Sequence, residues 1–171
     1  NMYEFIPPKN NKKAPRLVLL FLIGALILFM LTSVMQQITG RWVIQLVGVA
    51  LLAAAIYILT RYIGKTFVYA VTEGEGGKRD FTVSELQRKG GRLTVCRISV
   101  QGITEAVWVS RSDSAKMQEI KKKIAAGKYK KFNYCPEVAP AESCFLFVEE
   151  CGEKFAIRIC PDETLSGLLK P

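Results

Sequence analysis

The sequence predicts an α+β membrane protein, in which a transmembrane α-hairpin is followed by a mainly antiparallel β barrel or bent sheet with a C-terminal helix. Three observations predict this class. Two uncharged apolar runs of nineteen residues each occupy positions 17–35 and 42–60. From residue 64 onward, short runs rich in β-branched and aromatic residues alternate with glycine-containing turns, as is typical of β-strands. Half of the residues are hydrophobic although 23% are charged, as expected when a membrane segment is joined to a soluble domain.

The two apolar runs are long enough to form a membrane-spanning hairpin. A helix rises about 1.5 Å per residue and the hydrocarbon core is about 30 Å thick. The six residues between the runs, 36–41, require antiparallel helices that pack against each other. We expect Gly48, Ala50 and Ala54 at this contact, because small residues allow close backbone approach. Gln45 is expected to hydrogen-bond between helices or to lie at the membrane interface, with a role in a transport pathway as the alternative.

Basic residues are concentrated at the two outer ends of this hairpin. They are Lys9, Lys12, Lys13 and Arg16 before the first helix and Arg61 and Lys65 after the second, whereas the connecting loop holds only Arg41. By the positive-inside rule, both termini lie in the cytoplasm of a multi-pass protein of the cell (inner) membrane. A cleaved signal peptide is the alternative for the first run, but that run is too long and lacks a small-residue cleavage site. The residues assigned to the membrane interfaces are Arg16, Arg41, Trp42, Tyr57, Arg61 and Tyr62.

The chain therefore divides into a basic cytoplasmic N-terminus (1–16), a transmembrane hairpin (17–63) and a cytoplasmic β-rich domain (64–171). Within this domain the strand pattern predicts seven short strands, at residues 67–71, 80–86, 92–100, 103–109, 128–134, 143–149 and 154–160. The last two strands surround a tight turn at Cys151 and Gly152 and are expected to form a hairpin.

Two helices are predicted inside the domain. Residues 112–126 change to helical spacing, with Met117, Ile120 and Ile124 three and four residues apart. A short helix is predicted after Pro161, because proline fixes the first helical turn.

This order of elements resembles the bacterial pleckstrin-homology-like (PH-like) membrane proteins, in which a two-helix hairpin precedes a domain of seven strands and a closing helix. The likeness is carried by the hairpin, by the strand series that begins at Phe67, and by the ending FAIRICPDETL at residues 155–165. The resemblance implies a PH-like fold at the inner membrane surface. The helix at 112–126, placed before the last three strands, departs from the usual order of that family.

The positive charge is concentrated in the first half of the domain. Residues 78–131 hold fourteen basic and five acidic residues (net +9), whereas residues 132–171 hold three basic and seven acidic residues (net −4). The candidate surface for a lipid or a partner consists of Lys116, Lys121, Lys122, Lys123, Lys128, Lys130 and Lys131. Tyr129 and Phe132 between these lysines also fit a nucleic-acid interface, and a solvated helix face is the third interpretation. Anionic lipid explains the charge more simply than nucleic acid does, since the inner leaflet attracts nearby lysines by about 1 kcal/mol each.

Several kinds of site are disfavoured by the residues present. The chain has no histidine, which removes the commonest general base and transition-metal ligand. Four of its five cysteines, at 135, 144, 151 and 160, lack the C-x-x-C spacing of zinc sites. In a reducing cytoplasm we expect free thiols, although Cys144 and Cys160 are candidates for a cross-strand disulfide under oxidation. Residues 74–78 (GEGGK) have neither the spacing nor the following helix of a phosphate-binding loop and predict a turn.

We therefore expect a non-enzymatic binding or scaffold module at the inner membrane surface, without catalytic residues, metal or cofactor. Its expected partners are the lipid bilayer and a protein partner or second copy of the chain, with anionic lipid as a further candidate and nucleic acid not expected. The alternative is an accessory or regulatory subunit of a larger channel or transporter assembly.

Overall fold

A computed structural model of the chain describes residues 2–9, 13–34, 40–87 and 90–170. These residues form an α+β structure whose elements, in chain order, are β1 (Met2–Phe5), α1 (Lys13–Val34), α2 (Arg41–Ile58), β2 (Thr66–Glu73), β3 (Arg79–Leu86), β4 (Arg92–Ser99), β5 (Ile103–Ser110), α3 (Ser114–Ala126), β6 (Lys130–Asn133), β7 (Glu142–Glu150), β8 (Glu153–Ile159) and α4 (Glu163–Leu168). The chain divides into two compact units, of which one holds α1 and α2 and the other holds the strands with α3 and α4. Most of the predicted loop at 36–41 lies outside the described residues, as does Lys12.

The first unit is a hairpin of two long apolar helices. Lys13–Val34 has a mean hydropathy of 2.9, and α2, extended by a π-helical turn to Ile63, has a mean hydropathy of 2.4. Both are long and apolar enough to cross a membrane. Gly48 of α2 packs on the ring of Phe29 so closely that a Cβ there would lie 3.2 Å from it. The absence of a side chain at Gly48 thus sets how near the two helices come.

The N-terminal segment forms a strand, which sequence analysis did not predict. β1 pairs antiparallel with β2, so that Met2 lies opposite Thr72 and Phe5 opposite Tyr69. This pair begins a four-stranded antiparallel sheet with the order β1-β2-β3-β4 (sheet 1). In the chain, the helical hairpin is therefore an insertion between two neighbouring strands of one sheet.

A second four-stranded sheet (sheet 2) has the order β5-β7-β8-β6, with β6 parallel to β8 and the other neighbours antiparallel. Because β5 and β6 run in the same direction, the chain between them must cross over the sheet, and α3 supplies that crossover. The predicted barrel is wrong, since the two sheets are not closed onto each other. The chain leaves sheet 1 through a single helical turn at Val100–Gly102, after which β5 pairs with β7 and not with β4.

The main hydrophobic core lies between the two sheets. Sheet 1 contributes inward-facing side chains that include Tyr69, Phe81 and Val83, and sheet 2 contributes Leu146 and Ile157. α4 closes this core with Leu165 and Leu169. The aspartate at residue 162 caps α4, as its Oδ1 accepts a hydrogen bond of 2.9 Å from the backbone N–H of Leu165.

A smaller apolar cluster lies on the outer face of sheet 2, under α3. Ile120 and Ile124 of α3 pack against Phe145, Phe147 and Ala156. The middle of β7, from Ser143 to Val148, is consequently buried on both faces. This explains why its sequence is a continuous apolar run and does not alternate with polar residues.

Candidate functional site

α3 leaves part of the outer face of sheet 2 open, and the opening is a cleft between the helix and strand β6. Its volume is about 220 Å³. Ile120, Ile124 and Phe145 supply apolar side chains from α3 and β7, and β6 contributes Lys131 and Asn133 on the opposite side. Phe132 also borders the cleft, but its ring lies on the inner face of sheet 2, where it stacks on Tyr134 and packs near Phe155. The cleft thus offers a concave apolar surface to a ligand.

A second depression of about 310 Å³ adjoins this cleft near the start of α3. It is lined by more polar side chains, which include Arg111, Ser114 and Gln118. The two depressions share Met117, Lys121 and Arg158, so that they form one continuous surface with an apolar and a polar part. We call the whole surface the α3 cleft.

Four cations line the α3 cleft, namely Arg111, Lys121, Lys131 and Arg158. Among the residues that the structure describes, no acidic side chain lines either part. Among the described residues none of the four cations forms an ion pair with a carboxylate. An apolar concave surface with unneutralised cations and no carboxylate favours an anionic ligand that also carries an apolar group.

Arg158 is the most firmly held of these cations. It extends from β8, and its Nε–H donates a 3.0 Å hydrogen bond to the hydroxyl of Ser143. Its guanidinium carbon lies 5.3 Å from the ring centre of Phe145, a cation–π distance. The side chain is therefore fixed on the sheet before any ligand is bound, which lowers the entropic cost of binding an anion there.

The structure separates the seven lysines of the predicted lipid or partner surface into three groups. Lys121 and Lys131 line the α3 cleft. Lys123 forms an ion pair with Glu105, and the ammonium of Lys130 lies 2.7 Å from a carboxylate oxygen of Glu153. The remaining three, which are exposed and do not line the cleft, are Lys116, Lys122 and Lys128.

Two of the cleft cations, Arg111 and Arg158, were not among the residues singled out from the sequence. Arg111 lies in the loop after β5, just outside the lysine-rich segment 116–131. The sequence held one indication that Arg158 has a specific role, namely its position in the apolar strand sequence FAIRI. An arginine in such a strand needs a specific partner or access to solvent.

The helix-packing residues predicted from the sequence have different surroundings in the hairpin. Gly48 is buried, whereas Gln45 and Ala54 are half-buried and Ala50 is exposed. Ala55, one of the neighbouring small residues at 53–55, is 2% exposed. In the hairpin, Gly48 and Ala55 are thus the small residues that α2 buries.

The six predicted interface residues lie near the ends of the two helices. Arg16, Arg41, Trp42 and Tyr57 are exposed, and Arg61 and Tyr62 are half-buried. The guanidinium of Arg61 stacks on Tyr62, with 5.3 Å between its central carbon and the ring centre.

None of the five cysteines forms a disulfide. With a two-residue turn at Cys151 and Gly152, Cys144 lies opposite Ile159 and is not the cross-strand neighbour of Cys160. The sulfur of Cys160 instead lies 2.8 Å from that of Cys135. Burial, with the nearby Cys160 as a second cause, raises the pKa of Cys144 to about 12. Within the described ranges, no three Cys, Asp or Glu side chains are arranged to hold a metal ion.

The glycine-rich residues 74–78 form the turn between β2 and β3. Gly76 and Gly77 have φ angles of 79° and 73°, in the left-handed region that favours glycine. A strand follows this turn, whereas a phosphate-binding loop leads into a helix.

Comparison of the chain with protein-family models, with curated proteins and with solved structures finds no match. The likeness to PH-like membrane proteins therefore stays a prediction from the sequence, and no family is assigned to the chain.

Proposed function

We propose that this chain is a membrane-anchored binding module whose α3 cleft binds an anionic lipid at the inner surface of the cell membrane. The observation that carries the proposal is a set of four cations around an apolar cleft, for which the described part of the chain provides no carboxylate partner. The lipid headgroup is bound by the cations, and an apolar part of the same molecule occupies the part of the cleft next to Ile120 and Phe145. No bond is made or broken, so the proposed activity is binding and not catalysis.

The chain connectivity supports a hairpin that leaves the domain and returns to it. Seven residues separate β1 from α1, and two residues, Gly64 and Lys65, separate the π-helical turn that extends α2 from β2. Because β1 and β2 are neighbours in one sheet, a hairpin that crosses the membrane must return the chain to the side that it left. The basic flanks place that side in the cytoplasm, where anionic lipids attract basic residues.

Anionic lipid is favoured over a free anion because the cleft has two kinds of surface. A free phosphate or carboxylate needs only the cations, and leaves Ile120, Ile124 and Phe145 without a role. A lipid uses both surfaces, and the membrane provides it at high local concentration beside a tethered domain.

The proposal is tested on the purified full chain in a mild detergent, with native mass spectrometry as the readout of bound lipid. We expect phosphatidylglycerol to be retained in preference to phosphatidylcholine. The double variant Lys121→Gln/Lys131→Gln removes two cleft charges and should weaken the retention by about 2 kcal/mol, or about 30-fold, at roughly 1 kcal/mol per charge.

The matched control is Lys116→Gln/Lys122→Gln, which removes the same charge from exposed positions on α3 outside the cleft. It should change the retention less than about twofold, since it leaves the cleft intact. Equal losses in the two double variants would mean that net charge, and not the cleft, binds the lipid. Equal retention of the two lipids by the parent chain would contradict the proposal outright.

Membrane orientation is tested with an impermeant maleimide on intact cells. Cys151 is exposed in the β7–β8 turn and should react only after the cells are permeabilised. An Arg41→Cys variant that also carries Cys151→Ala should react without permeabilisation, because residue 41 lies at the far end of the hairpin. Reaction of Cys151 in intact cells would place the domain outside and rule out the proposed orientation.

A further inference from the structure

We propose that Cys135 and Cys160 form a redox-active thiol pair that is oxidised to an intramolecular disulfide by a peroxide. The two sulfur atoms lie 2.8 Å apart, with the Cys160 thiol donating a hydrogen bond to the sulfur of Cys135. The sulfur atoms of a disulfide lie about 2.0 Å apart, so that a small side-chain movement brings this pair to bonding distance. This inference does not depend on lipid binding, since it concerns a different part of sheet 2.

The parallel pairing of β6 with β8 explains why these two cysteines meet. In this pair each residue of β6 lies opposite the residue 25 positions later in the chain, from Lys130 opposite Phe155 to Asn133 opposite Arg158. The pairing continues past the strand, because the N–H of Tyr134 donates a 2.9 Å hydrogen bond to the carbonyl oxygen of Arg158. Cys135 and Cys160 are the next pair but one in the same register, and they too are 25 residues apart.

Buried contacts hold the backbone around both thiols in place. The hydroxyl of Tyr69, which is fully buried, donates a 2.8 Å hydrogen bond to the carbonyl oxygen of Tyr134. The same hydroxyl accepts a 3.4 Å hydrogen bond from the N–H of Cys160. The side-chain oxygen of Asn133 accepts a hydrogen bond from the N–H of Cys135. Because the backbone is held on both sides, little conformational freedom is lost when the disulfide forms.

The different exposure of the two thiols assigns the order of the steps. Cys135 is completely buried, whereas Cys160 is partly exposed. The Cys160 thiolate attacks one oxygen of hydrogen peroxide, the O–O bond breaks, and the products are a Cys160 sulfenic acid and hydroxide, which takes up a proton to give water. Cys135 then attacks the Cys160 sulfur, the S–O bond breaks, and a second water leaves. The two thiols lose two electrons in total and one peroxide molecule gains them.

Two other cysteine pairings are less favoured by the structure. Cys144 lies near Cys160, but its pKa is raised to about 12, chiefly by burial, so that its nucleophilic thiolate is scarce at neutral pH. Cys151 is exposed at the tip of the β7–β8 hairpin and is suited to bonds between chains and not within one.

The experiment treats the purified full chain with a small excess of hydrogen peroxide, blocks the remaining thiols, and maps disulfides by peptide mass spectrometry without reduction. We expect the peptide pair that joins Cys135 to Cys160 to predominate in monomeric protein and to disappear on reduction. It should be lost in both Cys135→Ser and Cys160→Ser, and retained in Cys144→Ala and Cys151→Ala. In Cys135→Ser the Cys160 sulfenic acid should persist and react with a dimedone probe at least several-fold more than in the parent.

Thermal unfolding gives a second readout that does not depend on the variants. Oxidation should raise the unfolding midpoint by several degrees, because the bond closes a loop of 25 residues, and reduction should restore the original value. A predominant Cys144–Cys160 peptide pair would overturn the assignment. So would a Cys160 that ends as sulfinic acid while Cys135 remains a free thiol.

Discussion

The two faces of sheet 2 are built from the same strands but have different chemistry. The inner face is covered by sheet 1 and closed by α4. Leu146 and Ile157 on this face are therefore at most 1% exposed to solvent. The outer face is only partly covered by α3, and its open part carries four cations for which the described residues provide no carboxylate partner. The inner face therefore serves stability, and the outer face has the open apolar and charged surface that binding requires.

The largest expected effect is the loss of stability when an inner-face side chain is truncated. Leu146→Ala should lower the free energy of unfolding by about 2–5 kcal/mol, because it leaves a cavity in a closed core. Met117→Ala, at the half-buried cleft, should cost less than about 1 kcal/mol, because solvent already reaches that side chain. Urea unfolding of the full chain, followed by Trp108 fluorescence in a Trp42→Phe background, measures both. Similar losses for the two variants would mean that the outer face is as much a core as the inner one.

A charge reversal in the cleft should separate binding from stability. Lys121→Glu changes the cleft charge by two units and should weaken the retention of phosphatidylglycerol by about 30-fold, at roughly 1 kcal/mol per unit. The same variant should shift the free energy of unfolding by no more than about 0.5 kcal/mol, since the side chain is exposed. Lys122→Glu, one residue further along α3, is the matched control and should retain the lipid. A large loss of stability in Lys121→Glu would show that this position supports the fold.

The inner face should also respond to alkaline pH through Cys144. Burial raises its pKa from 9.0 to about 12, so that between these values the folded thiol keeps a proton that the unfolded thiol releases. The unfolded state then binds fewer protons, and the stability falls as the pH rises above 9. Between pH 8 and pH 10 this contribution amounts to about 1.4 kcal/mol. Urea unfolding at the two pH values should therefore show a smaller decrease for Cys144→Ala than for the parent, and equal decreases would contradict the assignment.

The smallest expected effect comes from an ion pair beside the cleft. Glu105→Gln removes the partner of Lys123 and should change the free energy of unfolding by less than about 1 kcal/mol, because both side chains are partly exposed. Lys123 does not line the cleft, so lipid retention should stay within about twofold of the parent value. Retention that rises with the net charge of the domain would show that the lipid responds to total charge rather than to the cleft.

The local elements of this fold could be predicted from the sequence, whereas the pairing between distant strands could not. The run at 143–149 predicted a strand, and Met117, Ile120 and Ile124 predicted the helix that covers it. β1 was missed because it has four residues and its partner strand begins at Thr66, beyond the whole hairpin. The parallel register of β6 and β8 was missed for the same reason, since nothing in either strand specifies its partner.

The candidate site was predicted only in part. Lys121 and Lys131 were in the predicted basic surface, but a count of charges does not show which lysines are neutralised by Glu105 and Glu153. Arg158 joins the site because β8 lies beside β6 in sheet 2. The proximity of Cys135 to Cys160 follows from the same strand pairing, which no spacing rule for cysteines contains.

The central claim is that the α3 cleft, and not the hairpin alone, binds an anionic lipid. The most direct test reconstitutes the full chain in lipid nanodiscs that contain a phosphatidylglycerol with a photoreactive diazirine in its acyl chain, followed by illumination and peptide mapping. The account predicts adducts on residues 114–133 in addition to those on the apolar helices. The adducts on residues 114–133 should be strongly reduced in Lys121→Gln/Lys131→Gln and unchanged in Lys116→Gln/Lys122→Gln. Adducts confined to residues 13–34 and 41–63 in all three proteins would contradict it.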